Sequence, residues 1–337
     1  MSEILVEVLR GNKTESVHRG SIAVVNPAGD LVCGVGNPHT AMSMRSCAKP
    51  LQAIPVVESG AAQHFGFSER ELALFCGSLN GQDFQVQCVR SVLDKIGLGR
   101  EHLACGVHNP SHRPTAAALR KRGEAPGPMH NNCAGKHAAM LSLCVHNGWP
   151  VEGYWELNHP VQQLLLEKIS ELTRIPNHQV DAAVDGCGVP VFFVPLKNLA
   201  RAYALLAVSY YQGDDNLSAP QKAIKKLMHA ALSHPEMIAG DQRICTDIMR
   251  TTRKDMLAKT GAEGGYALTL FTEQWGIGVT IDDGAPRSLG PVIIEILYQL
   301  DQLTGEEKRS LEPYHCPPIT NHRSEQVGML RPSFRLV

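Results

Sequence analysis

Strand-forming segments lie at both ends of this chain and helix-forming segments lie between them, and that distribution limits the fold more than any other feature. Residues 4–10 (ILVEVLR) and 21–26 (SIAVVN) are rich in branched apolar side chains. Asn26-Pro27-Ala28-Gly29-Asp30 is a turn signal before LVCGVG. Helical spacing of apolar residues predicts helices over 48–57, 82–96, 116–122, 135–146, 161–172, 196–211 and 221–232. Strand character returns at 255–258, 265–271 and 276–281, and Asp282-Asp283-Gly284 turns into a last predicted helix, 292–303. The economical solution is an α+β fold. One antiparallel sheet is built from both chain ends, with a largely helical insert beside it. Residues 1–337 then form a single unit, in which 1–44 plus 250–337 make the sheet subdomain and 45–249 the mainly helical one. A cleft between the two is the natural place for a ligand.

Composition narrows the function. With 337 residues and 43% hydrophobic content there is material for a sizeable core. Lys plus Arg number 32 and Asp plus Glu 33, a net charge of −1, which argues against nucleic acid as a partner. No apolar run approaches the roughly 18 residues of a membrane span. Glu3, Glu7 and Arg10 break the N-terminal apolar residues, unlike a secretory signal. Ten scattered cysteines without a Cys-x-x-Cys pair predict free thiols in a reducing cytoplasm. Neither a Gly-x-Gly-x-x-Gly after a strand nor a P-loop is present, so nucleotide cofactors have no support.

Three short motifs carry chemistry. They are Ser46-Cys47-Ala48-Lys49 (S-x-x-K), Ser78-Leu79-Asn80 (S-x-N) and Lys259-Thr260-Gly261 (K-T-G), in the chain order of the serine penicillin-recognising enzymes. A serine hydroxyl needs a base to become a nucleophile. On a helix, Lys49 would stand one turn behind Ser46, and a helix start favours a developing alkoxide. Lys49 must be neutral to accept a proton, and burial with a nearby cation, Lys259 or Arg45, would achieve that. Ser78 could relay protons between the lysines, Asn80 could orient a lysine or the substrate, and Gly261 allows close approach to the backbone. Ser46 could equally be only a helix cap, Ser78 a loop hydroxyl and Lys259 a solvated strand end. The spacing also departs from penicillin-recognising enzymes, with a short gap from Ser46 to Ser78 and a long one to Lys259.

A second constellation combines His130-Asn131-Asn132-Cys133-Ala134-Gly135-Lys136-His137 with Asp185-Gly186-Cys187-Gly188. Two thiolates and a nitrogen, from Lys136 or His137, would suit a soft divalent metal such as zinc. The cysteines could instead be small buried hydrophobes. Asp185 could receive an ammonium group. His108 and His112 flank Pro110 and are loop histidines. Lys225-Lys226 and Lys121-Arg122 are solvated helix faces.

The set MRSCAKPLQ, FCGSLNG, HNPSHRP, HNNCAGKHAAML, VDGCGVP and AKTGAEG resembles the bacterial asparaginase II family of the Rhizobium etli type, over residues 3–332. The resemblance implies a serine β-lactamase-like fold, a homodimer, and hydrolysis of L-asparagine to L-aspartate and ammonia. It implies two Ser–Lys tandems, Ser46 with Lys49 and Ser78 with Lys259, with Ser46 the nucleophile. It further implies zinc held by Cys133, Lys136 and Cys187 as a site ion that shapes substrate binding. Arg45, Asn80, His137, Asp185 and Gly261 are the expected substrate-binding residues, Arg45 because guanidinium pairs with carboxylates. The stretch LNGQDFQ after Ser78 departs from the expected pattern and bears on substrate fit. Two other readings compete: a penicillin-recognising acyl enzyme of the same fold, and a non-catalytic zinc- or ligand-binding protein.

Overall fold

The computed structural model describes residues 1–252 and 255–337. Its main sheet has eight antiparallel strands: β1 (Glu3–Arg10), β2 (Lys13–Val25), β3 (Leu31–Val35), β7 (Met256–Thr260), β8 (Tyr266–Leu270), β9 (Trp275–Ile281), β10 (Pro318–Thr320) and β11 (Gln326–Pro332). A three-stranded sheet holds β4 (Ala41–Ser43), β5 (Asp181–Val184) and β6 (Pro190–Pro195) in the order β4-β6-β5. The main sheet runs β10-β11-β1-β2-β9-β8-β7, with β3 also paired to β2. It is therefore built from both chain ends, as the strand-helix-strand distribution requires.

Gly20–Val25 of β2 are buried without alternation, so both faces of the sheet centre are covered. The helix Leu196–Ala207 packs on β2, β8 and β9, and the helix Leu289–Gln299 packs on β1 and β11. Gly276 permits the first contact, since a Cβ there would lie 1.8 Å from the Ala200 carbonyl oxygen.

Two features differ from the sequence expectation. The chain does not end its regular structure near 303. The helix Gly305–His315 follows, and β11 returns to pair with β1 while β10 pairs with β11. Charged residues and prolines in this stretch hide the strand period. The segment around Cys187 belongs to a second small sheet rather than to the helical part alone. Pairing of β4 with β6 fixes the chain entering Arg45–Ala48, a single 3₁₀ turn that leads into the helix Lys49–Glu58.

Candidate active site

Three chain segments meet beside the edge strand β7. The first is the 3₁₀ turn with Ser46, closed by the Lys49 N–H donating to the Ser46 carbonyl and held by Tyr203, whose hydroxyl donates to the Cys47 carbonyl at 2.8 Å. Arg45 opens the turn in a left-handed conformation (φ 42°). The second is the loop after the helix Glu69–Phe75, where the Ser78 N–H donates to the Ile238 carbonyl (2.7 Å) and the Leu79 N–H to the Asn132 carbonyl (3.1 Å). The third is β7 itself, which carries Lys259.

Both lysines are buried, Lys49 at 0% and Lys259 at 1% exposure. Their ammonium groups converge on one oxygen. Lys49 Nζ donates to Ser78 Oγ at 3.1 Å and to the Asn132 carbonyl at 2.9 Å. Lys259 Nζ donates to Ser78 Oγ at 2.8 Å and to the Thr260 carbonyl at 3.0 Å. No carboxylate pairs with either lysine among the described residues. Burial therefore pushes both below the ordinary lysine value. Lys259 falls to about 8, through burial first and the Lys49 charge second.

The Ser46 hydroxyl is half-buried and has no hydrogen-bond partner among the described residues. The expected contact from Lys49 to Ser46 is absent. A fully buried ammonium needs acceptors, and Ser78 and the Asn132 carbonyl supply them. Lys49 thus belongs to the Ser78 side of the cluster, and Ser46 stands free beside it.

Arg45 and Asp185 meet each other. Arg45 Nε lies 2.8 Å from Asp185 Oδ1, whose other oxygen is 3.5 Å from Lys136 Nζ. Cys187 Sγ approaches the same carboxylate at 3.8 Å. The Cys133 thiol is drawn well below its usual range by the adjoining Cys187 against the opposing effect of burial, helped by Lys49 and Lys136. Cys187 is pushed up in return. Burial opposes the charge on Lys136, yet Cys133, Cys187 and Asp185 together hold its pKa above the ordinary value. The three expected metal donors are therefore neighbours. Among the described residues no three His, Cys, Asp or Glu side chains form a metal-binding group by themselves. The third donor would have to be the lysine amine.

His137, Asn80 and Gly261, the other residues expected to bind substrate, each have a partner within the protein. His137 is fully buried in the helix Ala134–Asn147 and meets the Tyr154 hydroxyl at 2.6 Å, with its Nε2 unpartnered. It faces the core because residues 134–144 of its helix are buried on every side. Asn80 is 2% exposed and directs its amide to the Asp241 carbonyl (3.5 Å). Gly261 makes room for a side chain, since a Cβ there would come 3.0 Å from Cys47 Sγ. The sequence reading missed Asn132 and Tyr203. The first acts through its carbonyl, and the second is a core tyrosine whose register no local pattern reveals.

The L-asparaginase II family profile matches residues 6–332. No curated protein matches the chain in a sequence search. Similar solved structures include a β-lactamase from Mycobacterium bovis, 14% identical, covering 88% of this chain and 95% of that one at a TM-score of 0.41. A Bacillus glutaminase is 12% identical over 84% and 91% of the two chains, with a TM-score of 0.39. A D-alanine carboxypeptidase from Burkholderia cenocepacia is 14% identical over 88% and 92%, with a TM-score of 0.36.

Proposed function

The chain belongs to the L-asparaginase II family, which supports an amide hydrolase, and from that membership we propose that it converts L-asparagine to L-aspartate and ammonia through an acyl-enzyme on Ser46. The observation that carries the reading is the Lys49–Ser78–Lys259 chain with a free Ser46 hydroxyl beside it. An oxygen that accepts from two ammonium groups has its own hydrogen left to donate. Two buried ammonium groups on one hydroxyl repel, so the pair readily gives up one proton.

In this mechanism the Ser46 hydroxyl, unpartnered at rest, gives its proton to the neutral amine of Lys49 once that amine turns from Ser78, and the Ser46 oxygen attacks the side-chain amide carbon. The backbone N–H of Ser46 stabilises the oxyanion. The carbon–nitrogen bond breaks as the nitrogen takes a proton from Ser78, which Lys259 replaces, and ammonia leaves. Water then attacks the aspartyl ester, gives its proton to the amine, and Ser46 recovers its own.

Cys133, Cys187 and Lys136 would hold a zinc ion. Their donor set fits a soft divalent cation. Bound there, zinc would keep both sulfurs as thiolates and fix the Asp185–Arg45 pair beside Ser46. The homodimer is part of the same reading. The exposed strand β5, with Val184 78% exposed, offers an open sheet edge to a second copy. No helix of the described residues is long and apolar enough to cross a membrane. Ten free thiols suit the reducing cytoplasm.

The test is ammonia release by purified protein, with L-asparagine and L-glutamine side by side. Release from asparagine well above glutamine supports reaction and substrate together. No release from either by folded, zinc-supplemented protein overturns the reading.

A further inference from the structure

Asn132 takes part in the lysine cluster through its carbonyl, and a loop outside the cluster holds it there. That carbonyl accepts from Lys49 Nζ at 2.9 Å and from the Leu79 N–H at 3.1 Å. When the Lys49 amine turns to Ser46 its bond to Ser78 must break, so the Asn132 carbonyl is the anchor that remains. On the other side of the same residue, the Asn132 N–H donates to His108 Nε2 at 2.9 Å. Asn131 adds two bonds to the same loop, from its Nδ2 to the Cys105 carbonyl at 2.8 Å and to the Gly106 carbonyl at 3.2 Å.

The loop that carries His108 is tied in turn to the segment that presents Ser78. The His112 N–H donates to the Asn80 carbonyl at 3.0 Å. Pro110 packs on Gly81, where an added Cβ would lie 2.8 Å from the Pro110 Cβ. The imidazole therefore belongs to a short frame that joins the Ser78 segment to Asn132, the two places where Lys49 is held. Its tautomer follows from its partners. A backbone N–H can only donate, so Nε2 is the bare nitrogen and Nδ1 carries the ring proton. Nδ1 then donates to the Asn109 carbonyl at 2.7 Å, and the ring is fixed at both nitrogens.

We propose that His108 is a positioning residue, which fixes Asn132 so that the Asn132 carbonyl steers the Lys49 amine between Ser78 and Ser46. Its kinetic consequence rests on the amide-hydrolase reading above. Among the described residues His108 makes no hydrogen bond to Lys49, Lys259, Ser46 or Ser78, and it acts on the cluster through Asn132. Its loss should therefore slow proton transfer and leave substrate affinity in place, because a displaced catalytic group reacts more slowly without the substrate losing a contact.

The test compares wild type with His108→Gln, His108→Asn and His108→Ala. The side-chain oxygen of Gln reaches the place of Nε2, whereas Asn keeps the amide and falls short of it. His108→Asn and His108→Ala should lower kcat for L-asparagine by about 10- to 100-fold with KM little changed, and His108→Gln should recover most of the loss. Single-residue hydrogen exchange reads the same geometry without substrate. The Leu79 amide shares the Asn132 carbonyl with Lys49. It should exchange faster in His108→Asn and His108→Ala, and at the wild-type rate in His108→Gln. Equal kcat in the Gln and Asn variants, a KM that rises in step with the fall in kcat, or a Leu79 amide unchanged in every variant would overturn the assignment. Should His108→Ala fail to fold, His108→Asn against His108→Gln carries the comparison. Should wild type hydrolyse no L-asparagine, the enzymatic reading fails and the exchange rates alone decide whether His108 positions Asn132. Faster Leu79 exchange in His108→Asn than in His108→Gln would then uphold that role, and equal rates would overturn it.

Discussion

Lys259 donates to the hydroxyl of Ser78 at 2.8 Å although 181 residues of chain separate them. The contact ties the edge strand β7 to a loop of the helical part, and Lys49 meets the same oxygen. Removing the bridge should therefore disable proton transfer without dismantling the fold. Ser78→Ala is expected to lower kcat by about 10²- to 10⁴-fold. Combining it with Lys259→Met should cost little more than either change alone, because the two act as one unit. Steady-state kinetics on the two singles and the double variant measure this.

Lys259 also sets a pH dependence. Its pKa is drawn from 10.5 to about 8 by burial and by Lys49. The working form of the pair carries one proton, so kcat/KM should rise with pH through about 8. Removing the Lys259 charge relieves the repulsion on Lys49, and any activity left in Lys259→Met should have its rising limb at higher pH. Stability follows the same sign. Between about 8 and 10.5 the unfolded chain binds the proton that the folded chain has lost, so Lys259 makes folding more favourable as pH rises across that window. At neutral pH its buried charge is a cost, and Lys259→Met should raise Tm while activity falls. A pH series of thermal melts on both proteins checks this.

The zinc proposal has its own signature. Lys136 and Cys187 hold their protons firmly in the metal-free arrangement. Zinc binding at pH 7 should then release protons, measurable by calorimetry in buffers of different ionisation enthalpy. Wild type should hold about one zinc per chain by this donor count, and Cys133→Ser or Cys187→Ser should lose it and raise KM more than they lower kcat.

A stability prediction tests the sheet–helix contact. The 1.8 Å approach of a Cβ at Gly276 to the Ala200 carbonyl leaves no space for a methyl group. Gly276→Ala should destabilise by about 1–3 kcal/mol or more, read as a drop in the denaturant midpoint.

The outline of the fold was legible because β1, β2, β8 and β9 are dense in branched apolar residues and the intervening helices keep a clean 3.6-residue period. The C-terminal strands were not, since Pro318, Arg331 and Pro332 obscure alternation and the partner of β11, β1, lies some 320 residues away. Within the site, S-x-x-K, S-x-N and K-T-G pointed to three residues that do converge, Lys49, Ser78 and Lys259. Spacing could not say which hydroxyl Lys49 would choose, because the decision lies with the Asn132 carbonyl and the loop that presents Ser78. Nor could it show that Arg45 pairs with Asp185, because Asp185 reaches Arg45 only through the pairing of β5, β6 and β4.

The most direct test of the central claim is rapid acid quench of wild-type protein mixed with L-asparagine, followed by intact-mass and peptide mass spectrometry. The account predicts an aspartyl group esterified to Ser46, and a Ser46→Ala variant that folds normally, carries no adduct and has lost about 10⁴-fold or more of its turnover. An adduct on Ser78 instead, or undiminished turnover by Ser46→Ala, would contradict it.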